Sequence, residues 1–215
     1  MAPRRDPETH APIQERSRET AALIVVAAAR LLKARPAEDH SIAEIAAEAG
    51  ISVGGFYARF KTKQALLRTL HQHVLEDCQR ALDQAMDRVA APELPAAVTV
   101  RAYIEAVVTK FIEHRTTIRN IRARARAGDA LLGRQVRHFN GHVHGRLRTA
   151  LLARRREIRH PDPEFAVNFG LFLVSAGARE AILSGALESY PIRVDAPLLI
   201  DQLTAAYLAF LGVRA

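Results

Sequence analysis

The sequence contains one cysteine and no tryptophan, and aromatic residues make up only 6% of it. Because Cys78 stands alone, a disulfide within the chain is excluded, and a reducing compartment such as the cytoplasm is indicated. Runs of β-branched residues are also scarce, whereas alanine, leucine and arginine are abundant. This composition predicts an all-α protein.

Signals for secretion and membrane insertion are missing as well. Residues 1–16 contain no apolar segment of the kind that a signal peptide needs. The most apolar stretch, residues 165–178, is too short to span a bilayer and is followed directly by Arg179 and Glu180. We therefore expect a soluble, cytoplasmic protein with no membrane partner.

Motifs for catalysis and for metal binding are also lacking. No nucleophile elbow, phosphate-binding glycine loop or zinc-protease motif occurs, so we expect neither an enzyme nor a cofactor. His138 and His142 could share a metal ion, but His144 lies well around the helix and no carboxylate is close in sequence, so no metal site is predicted. Cys78 could be a thiol sensor, although its position on an apolar helical stripe favours a buried, inert thiol.

Positive charge is in excess over the whole chain. The formal net charge is +8, and thirteen arginines lie between residues 115 and 159 against only Asp129 and Glu157. Such a balance indicates polyanionic partners, although an arginine-rich composition does not by itself distinguish nucleic acid from genomic bias.

Helical patterns with recognisable caps and breaks follow one another along the chain. Helices are predicted at about 17–34, from 41, from 52, and at 62–90, 95–113, 116–127, 129–156, 163–187 and from 195 onward. We expect a flexible arm at residues 1–15, a helix-turn-helix domain at 16–62 and a larger C-terminal domain at 63–215. The long helix from residue 62 would then join the two domains.

The helix-turn-helix is predicted from its caps. Ser41 and Glu44 have the spacing of a capping box, and Ser52 can cap the second short helix. Between them, Gly50 can adopt the left-handed conformation that ends the first helix. These three local features define two short helices joined by a tight turn.

The second short helix has two predicted faces. Phe56 and Phe60 are four residues apart and should face the core, whereas Val53, Gly54 and Tyr57 lie on the other side. A recognition helix enters the major groove with its N-terminal residues, and glycines there let the backbone approach DNA closely. This pattern favours DNA binding over a small helical subdomain with no DNA role.

Residues 18–67 resemble the N-terminal domain of the tetracycline-repressor (TetR) family of bacterial transcription regulators. The resemblance rests on AAARLL and on SIAEIAAEAGISVGGFYARFKTKQALL, with the spacing between them preserved. It implies a dimeric regulator that binds a palindromic operator on double-stranded DNA and is released by a small-molecule effector. Repression comes from the resemblance alone, and an activator without an effector or a helical protein-interaction module stays open.

The resemblance also implies roles for particular residues. Those placed where the family contacts phosphates are Ser41, Ser52, Tyr57, Arg59 and Lys63, and those placed where it reads bases are Val53, Gly54 and Gly55. Position 53 is often lysine in the family, and position 55 usually carries a side chain. We therefore expect operator choice to depend on van der Waals contact, DNA shape and the N-terminal arm with Arg16 and Arg18.

An effector cavity and a dimer surface are further implied for the C-terminal domain. Tyr103, Phe111, Phe139, Asn168 and Phe172 are expected to line the cavity, with plain core packing as the alternative. Arg119, Arg122 and Arg126 form a stripe that is either solvated or faces an anionic effector such as a carboxylate, a phosphate or an acyl thioester.

The last two helices are the expected dimer surface, because they combine small residues with apolar ones. The alternative is that both helices complete the core of the monomer. The residues expected at this homodimer contact are Gly177, Ala181, Leu203, Tyr207 and Phe210.

Overall fold

The computed structural model describes residues 13–35, 39–91 and 93–213, with side chains from residue 18 onward except at residues 33 and 34. Within these ranges the chain is almost entirely helical and contains no strand. The helices are α1 (Ile13–Ala34), α2 (Ile42–Glu48), α3 (Val53–Tyr57), α4 (Lys63–Arg88), α5 (Ala96–Glu113), α6 (Arg115–Arg126), α7 (Ala130–Ala153), α8 (Pro163–Arg179) and α9 (Ala196–Leu211). The predicted all-α fold is confirmed.

Short polar side chains cap several helix starts, whereas α5 and α6 begin without a side-chain cap. Ser41 forms a complete capping box: its hydroxyl oxygen accepts from the Glu44 N–H (3.1 Å), and the Glu44 carboxylate accepts from the Ser41 N–H (2.7 Å). The same type of cap begins α4 at Thr62, whose hydroxyl oxygen accepts from the Ala65 N–H at 3.1 Å. Aspartates cap α7, α8 and α9 in the same way.

The chain divides into two compact units, one ending at His71 and the other beginning at Gln72. This division lies inside α4, a few residues beyond the expected domain boundary at 62 and 63. In the N-terminal unit, α2 packs between α1 and α3, and its buried side chains include Ile45. In the C-terminal unit, α5 and α8 both pack against α9.

Close packing of α8 on α9 depends on a glycine. A Cβ at Gly170 would lie within 2.6 Å of Tyr207 Cδ2, so no larger residue fits without movement. Tyr207 is only 1% exposed, and its hydroxyl donates to the Val167 carbonyl oxygen at 2.6 Å. The aromatic ring of α9 therefore occupies the space that the missing side chain of α8 leaves.

Helix α8 differs from its prediction at the C-terminal end. The regular helix ends at Arg179, and the chain continues as a π-helical turn (Glu180–Ser184) that is closed by Gly185 at φ 69°. The combined helix, Pro163–Ser184, is longer than residues 165–178 and is apolar enough by composition to cross a membrane. Its buried face, which includes Leu171 and Val174, packs in the core of the C-terminal unit, as an apolar helix of a helical domain does.

A buried arginine fixes the end of α7. Arg154 donates from Nε to the Leu94 carbonyl (2.8 Å), from Nη1 to the Ala150 carbonyl (2.9 Å) and from Nη2 to the Ala91 carbonyl (2.6 Å). Because backbone oxygens surround the guanidinium, this buried charge is fully hydrogen-bonded without a carboxylate.

Candidate nucleic-acid interface and cavity

Helices α2 and α3 form a tight helix-turn-helix in the N-terminal unit. Gly50 has a φ of 68°, and the Ile51 N–H donates to the Ala46 carbonyl at 2.9 Å, so the chain leaves α2 through a left-handed residue. Ser52 then caps α3 by accepting from the Gly55 N–H at 3.0 Å. The turn predicted from Gly50 and Ser52 is confirmed.

Helix α3 has one buried face and one exposed face. Phe56 is fully buried and Phe60 nearly so, with their ring centroids 5.9 Å apart. On the other side, Val53 is 43% exposed and Tyr57 is 51% exposed. The Tyr57 ring meets the edge of Phe56 at 5.6 Å, so it is held in place while its other face remains open.

The two glycines of α3 are not required by the fold. Neither has a positive φ, since the positive-φ glycines of the described residues are found at positions 50, 128, 185 and 212. A Cβ at Gly54 would meet nothing nearer than Ser52 Oγ at 3.7 Å, and one at Gly55 would meet the same atom at 3.4 Å. An alanine would therefore fit at both positions, and a reason for glycine has to be sought outside the monomer.

The other residues expected at DNA lie close to this exposed face or next to it in sequence. Ser41 and Ser52 are exposed, and because each hydroxyl accepts a backbone N–H, its own O–H remains a possible donor. Arg59 is half-buried, with Nη1 3.5 Å from the Ala58 carbonyl oxygen, and Lys63 is also half-buried. Arg18 is exposed on α1. The side chain of Arg16 and residues 1–12 of the expected arm lie outside the described residues, whereas residues 13–15 belong to α1.

A cavity of about 100 Å³ lies within the C-terminal unit, between α4, α5, α6, α7 and α8. Most of its wall is apolar, and α4 contributes Val74, Leu75, Cys78 and Leu82. The polar side chains of the wall are Arg122, Asn140, His144, Ser175 and Arg179. It is thus an apolar space with two cationic groups and a few neutral polar groups.

Comparison with known proteins gives a family for the helix-turn-helix. Residues 24–70 match the sequence model of the bacterial regulatory proteins of the tetR family. The resemblance to the TetR family is confirmed. The match covers the second half of α1, all of α2 and α3, and the start of α4, and no protein with a curated description matches the sequence.

Solved structures extend the TetR likeness to the whole chain at the level of fold. A transcriptional regulator assigned to the TetR family from Mesorhizobium loti has a TM-score of 0.72 at 18% identity, covering 92% of this chain and 97% of that one. The fatty acid degradation regulator FadR from Bacillus halodurans has a TM-score of 0.66 at 14% identity, covering 91% and 97%. RolR in complex with its ligand resorcinol has a TM-score of 0.52 at 21% identity, covering 94% and 92%. The chain thus has the fold of TetR-family transcriptional regulators, which are generally DNA-binding proteins.

Four of the eight residues expected at the effector of this TetR-like chain line the cavity, and four do not. Those on its wall are Tyr103, Phe111, Arg122 and Phe139. On α6, Arg122 adjoins the buried side chains of Ile118 and Ile121, whereas Arg119 and Arg126 are exposed. The expected stripe therefore contributes one arginine to the cavity rather than three.

Two residues expected at the effector lie instead on the exposed face of α8. Asn168 is exposed, and its side-chain amide donates to the Glu164 carbonyl at 2.7 Å, while Phe172 is 58% exposed. Their helix turns its other face, with Leu171 and Val174, into the core. Neither Asn168 nor Phe172 lies on the wall of the cavity.

Sequence reasoning missed the second arginine of the cavity. Arg179 lies in the last turn of the apolar helix α8. In the sequence it was interpreted only as the residue that ends the apolar stretch. No clear signal marked it in the sequence, because arginine is common in the last turn of a helix. Ser175, four residues earlier, lies on the same cavity wall.

The residues expected at the homodimer contact differ in how far they are buried within the monomer. Tyr207 is buried inside the monomer and cannot form a contact with a second copy. Gly177 faces α9, since a Cβ there would lie 3.1 Å from Leu203 Cδ2. Ala181 lies in the π-helical turn and lines a surface groove with Ile182, and only Phe210 of this set contacts an exposed aromatic ring. Gly177, Ala181, Leu203 and Phe210 are half-exposed, so these four residues stay a prediction for the homodimer contact.

A row of exposed aromatic rings on α8 offers a second candidate for the dimer surface. Phe165 and Phe169 stack with centroids 5.2 Å apart, and Phe169 is 5.9 Å from both Phe172 and Phe210. The first three of these rings are exposed on α8. These rings therefore form a contiguous, exposed aromatic surface on α8.

The three histidines and the cysteine are accounted for by other contacts. His142 Nε2 is 2.8 Å from Asp83 Oδ1, His138 is exposed and His144 faces the cavity. Cys78 is buried, and burial raises the pKa of its thiol to about 12, so it remains protonated. The thiol is therefore not suited to act as a sensor in this conformation.

One group of potential metal ligands is occupied by a lysine. Atoms of Asp77, Glu113 and His114 lie within 4.8 Å of one another. Lys110 Nζ is 2.7 Å from Asp77 Oδ2 and 2.8 Å from Glu113 Oε2, and His114 Nε2 is 3.0 Å from Asp77 Oδ2. The ammonium group thus supplies the positive charge that these carboxylates need.

Proposed function

We propose that this chain is a cytoplasmic, homodimeric transcription regulator that binds duplex DNA through α3 and responds to a small molecule bound in the C-terminal cavity. The glycine pair Gly54–Gly55 carries the DNA-binding part of the proposal. The monomer has room for a side chain at both positions and no backbone strain that demands glycine. Two glycines side by side in a short helix cost stability, so a close approach to another molecule is the best reason for them.

The exposed residues beside the glycines suit the major groove. Val53 offers methyl groups that can contact the methyl group of thymine, and Tyr57 offers a hydroxyl group that can donate to a phosphate. Because α3 has no exposed side chain that can form a bidentate hydrogen bond to a base, specificity is expected to depend on shape and on apolar contact. The net charge of +8 supports an electrostatic contribution to DNA affinity.

The test begins with a duplex enriched from a randomised pool by the wild-type protein. Gly54→Ala and Gly55→Ala are expected to lower affinity for that duplex about tenfold or more, equivalent to ~1.4 kcal/mol. Gly141→Ala is the matched control, because Gly141 is an exposed glycine of α7 with open space around it. If no duplex is enriched, or if all three variants bind alike, the helical interaction module becomes the better assignment.

Salt dependence separates a DNA reader from a protein-interaction module. Phosphate contacts release counterions, so affinity should fall by about a hundredfold or more between roughly 50 and 200 mM salt. An affinity that does not depend on salt would contradict the proposal.

The effector part of the proposal rests on the cavity and on the continuity of α4. This helix belongs to the N-terminal unit up to His71 and supplies four side chains to the cavity wall beyond it. RolR, one of the similar structures, was solved with resorcinol bound. We infer that a ligand against α4 favours one position of this helix and so changes the spacing of the two recognition helices in a dimer.

Linkage provides the test of this coupling. If ligand and DNA oppose one another, each must weaken the other by the same factor, with typical coupling energies of ~1–3 kcal/mol. Ligand affinity is measured by calorimetry with and without the enriched duplex. Equal affinities would reject the coupling, and tighter binding of ligand in the presence of DNA would favour an activator or a co-repressed regulator.

The dimer part of the proposal rests on the aromatic row of α8. Sedimentation of Phe169→Glu should show a monomer where the wild type is a dimer, because a charge would be buried in the interface. Leu131→Glu is the control, since Leu131 is an exposed apolar residue on α7. Should both variants sediment like the wild type, the aromatic row is not the dimer contact.

A further inference from the structure

Two arginines of the cavity have no acidic partner. Arg122 comes from α6 and Arg179 from α8, and among the residues that the structure describes neither forms an ion pair within 4.0 Å. The Nε atom of Arg179 is buried and has no hydrogen-bond partner. Both side chains are half-buried, so their charges reach the cavity wall without full access to water.

Other partly buried cations of the C-terminal unit have hydrogen-bond or ion-pair partners. Arg154 is surrounded by backbone carbonyl oxygens, Arg124 lies 2.9 Å from Asp129, and Lys110 lies 2.7 Å from Asp77. A partly buried cation without such partners is costly. The pair at the cavity therefore lacks the partners that these other cations have.

The electrostatics around the pair favour an incoming negative charge. Burial lowers the pKa of Arg122, and the positive charges of Arg179 and Arg126 lower it further. Glu180 offsets this in part, but it is exposed and forms no ion pair with either arginine among the described residues. Burial and the charge of Arg179 also lower the pKa of His144, so this imidazole is neutral at pH 7 and can act as a hydrogen-bond partner without adding charge.

The size of the cavity limits the ligand to a small molecule. An apolar cavity of about 150 Å³ is known to hold benzene, so a volume of about 100 Å³ suits a short alkyl chain, and a ring would require the wall to widen. A planar carboxylate matches the paired N–H groups of guanidinium. A phosphate ester brings up to two charges and more polar oxygens into a mostly apolar wall, and an acyl thioester of a large carrier exceeds the volume.

We propose that the cavity binds a small organic carboxylate, with its apolar body against α4, α5 and α7 and its carboxylate between the guanidinium groups of Arg122 and Arg179. Asn140 and Ser175 lie on the same wall and supply neutral hydrogen-bonding groups. The biological meaning of this site, an effector site, rests on the proposed function. The binding chemistry itself does not depend on DNA.

The experiment measures thermal stability and calorimetric binding of the full chain without DNA, with benzoate, phenylacetate and hexanoate as probes. Benzamide is the neutral counterpart of benzoate, and inorganic phosphate is the anion without an apolar body. At saturation, at least one carboxylate should raise the Tm by about 2–4 °C or more, and the two counterparts should not. If no carboxylate binds, or if benzamide binds as well as benzoate, the proposal is overturned.

Matched variants test the arginine pair. Arg122→Met and Arg179→Met should each weaken binding of the carboxylate about tenfold or more, because each removes charge-assisted hydrogen bonds. Arg119→Met, one turn before Arg122 and off the cavity wall, should bind like the wild type. Without ligand, Arg122→Met should keep or raise the Tm, because it removes a partly desolvated charge, whereas a structural arginine would lower it.

The two proposals fail separately. Loss of carboxylate binding in a protein that still enriches a duplex would overturn the carboxylate site and leave the regulator intact. Carboxylate binding in a protein that enriches no duplex would support the site and contradict the regulator. A similar loss of binding in Arg119→Met and Arg122→Met would overturn the assignment of Arg122 and Arg179.

Discussion

The exposed helix α3 and the packed helix α8 each contain two glycines with ordinary helical backbone, but the space around these glycines differs. At Gly170 on α8, a Cβ would lie within 2.6 Å of the Tyr207 ring, so the fold excludes a larger residue. At Gly54 and Gly55 on α3, a Cβ would meet only ordinary contacts. Gly170 is therefore needed for the packing of α8 on α9, whereas packing within the monomer does not require glycine at positions 54 and 55.

The largest effect is expected from Gly170→Ala. The new methyl group must displace the Tyr207 ring, which is buried and held by its hydrogen bond to Val167. Overpacking of this kind costs ~1–3 kcal/mol, far more than the gain in helix propensity. Urea denaturation of the variant measures the change. If the variant were as stable as the wild type, α8 and α9 would move apart at little cost. Gly170 would then be no more necessary for the fold than Gly54 and Gly55.

A smaller loss is expected from Tyr207→Phe. This change keeps the ring that fills the space at Gly170 and removes only the hydroxyl that donates to the Val167 carbonyl at 2.6 Å. Loss of one buried hydrogen bond costs ~1 kcal/mol. The same denaturation experiment compares this variant with Gly170→Ala. If Tyr207→Phe cost more than Gly170→Ala, the hydrogen bond rather than the close approach would hold α8 on α9.

A gain in stability is expected from Gly54→Ala and Gly55→Ala. Each adds a methyl group that meets only ordinary van der Waals contacts, which should stabilise the fold by ~0.5 kcal/mol while DNA affinity falls. This opposite movement of stability and affinity distinguishes a functional glycine from a structural one. A loss of stability in either variant would show that the fold itself needs glycine there.

The N-terminal unit could be predicted more fully than the C-terminal one, because its determinants are local. The capping box of Ser41, the left-handed Gly50 and the cap at Ser52 each depend on residues within a few positions, so their spacing in the sequence is sufficient. The i, i+4 relation of Phe56 and Phe60 likewise fixes which face of α3 is buried.

The cavity depends instead on which helices meet. Arg179 joins Arg122 only because α8 and α6 lie on the same cavity, and no periodicity in either helix gives that. Phe172 was expected at the cavity from the family resemblance, but α8 buries its small and aliphatic face and exposes its phenylalanines. The apolar pattern of α8 covers both sides of the helix, so hydrophobicity alone could not choose between the core and an interaction surface.

The smallest change in stability is expected from Gly177→Ala. The space at Gly177 is intermediate between that at Gly170, where a Cβ would clash, and that at Gly54 and Gly55, where it would fit. A Cβ at Gly177 would lie 3.1 Å from Leu203 Cδ2, the far end of a flexible side chain that can rotate away. The strain of that movement and the gain in helix propensity have opposite signs, so the net change should be within ~0.5 kcal/mol. Denaturation at matched protein concentrations measures it, because a dimer gains apparent stability with concentration. A loss as large as that of Gly170→Ala would show that Leu203 cannot move, and would extend the packing requirement of α8 by two helical turns.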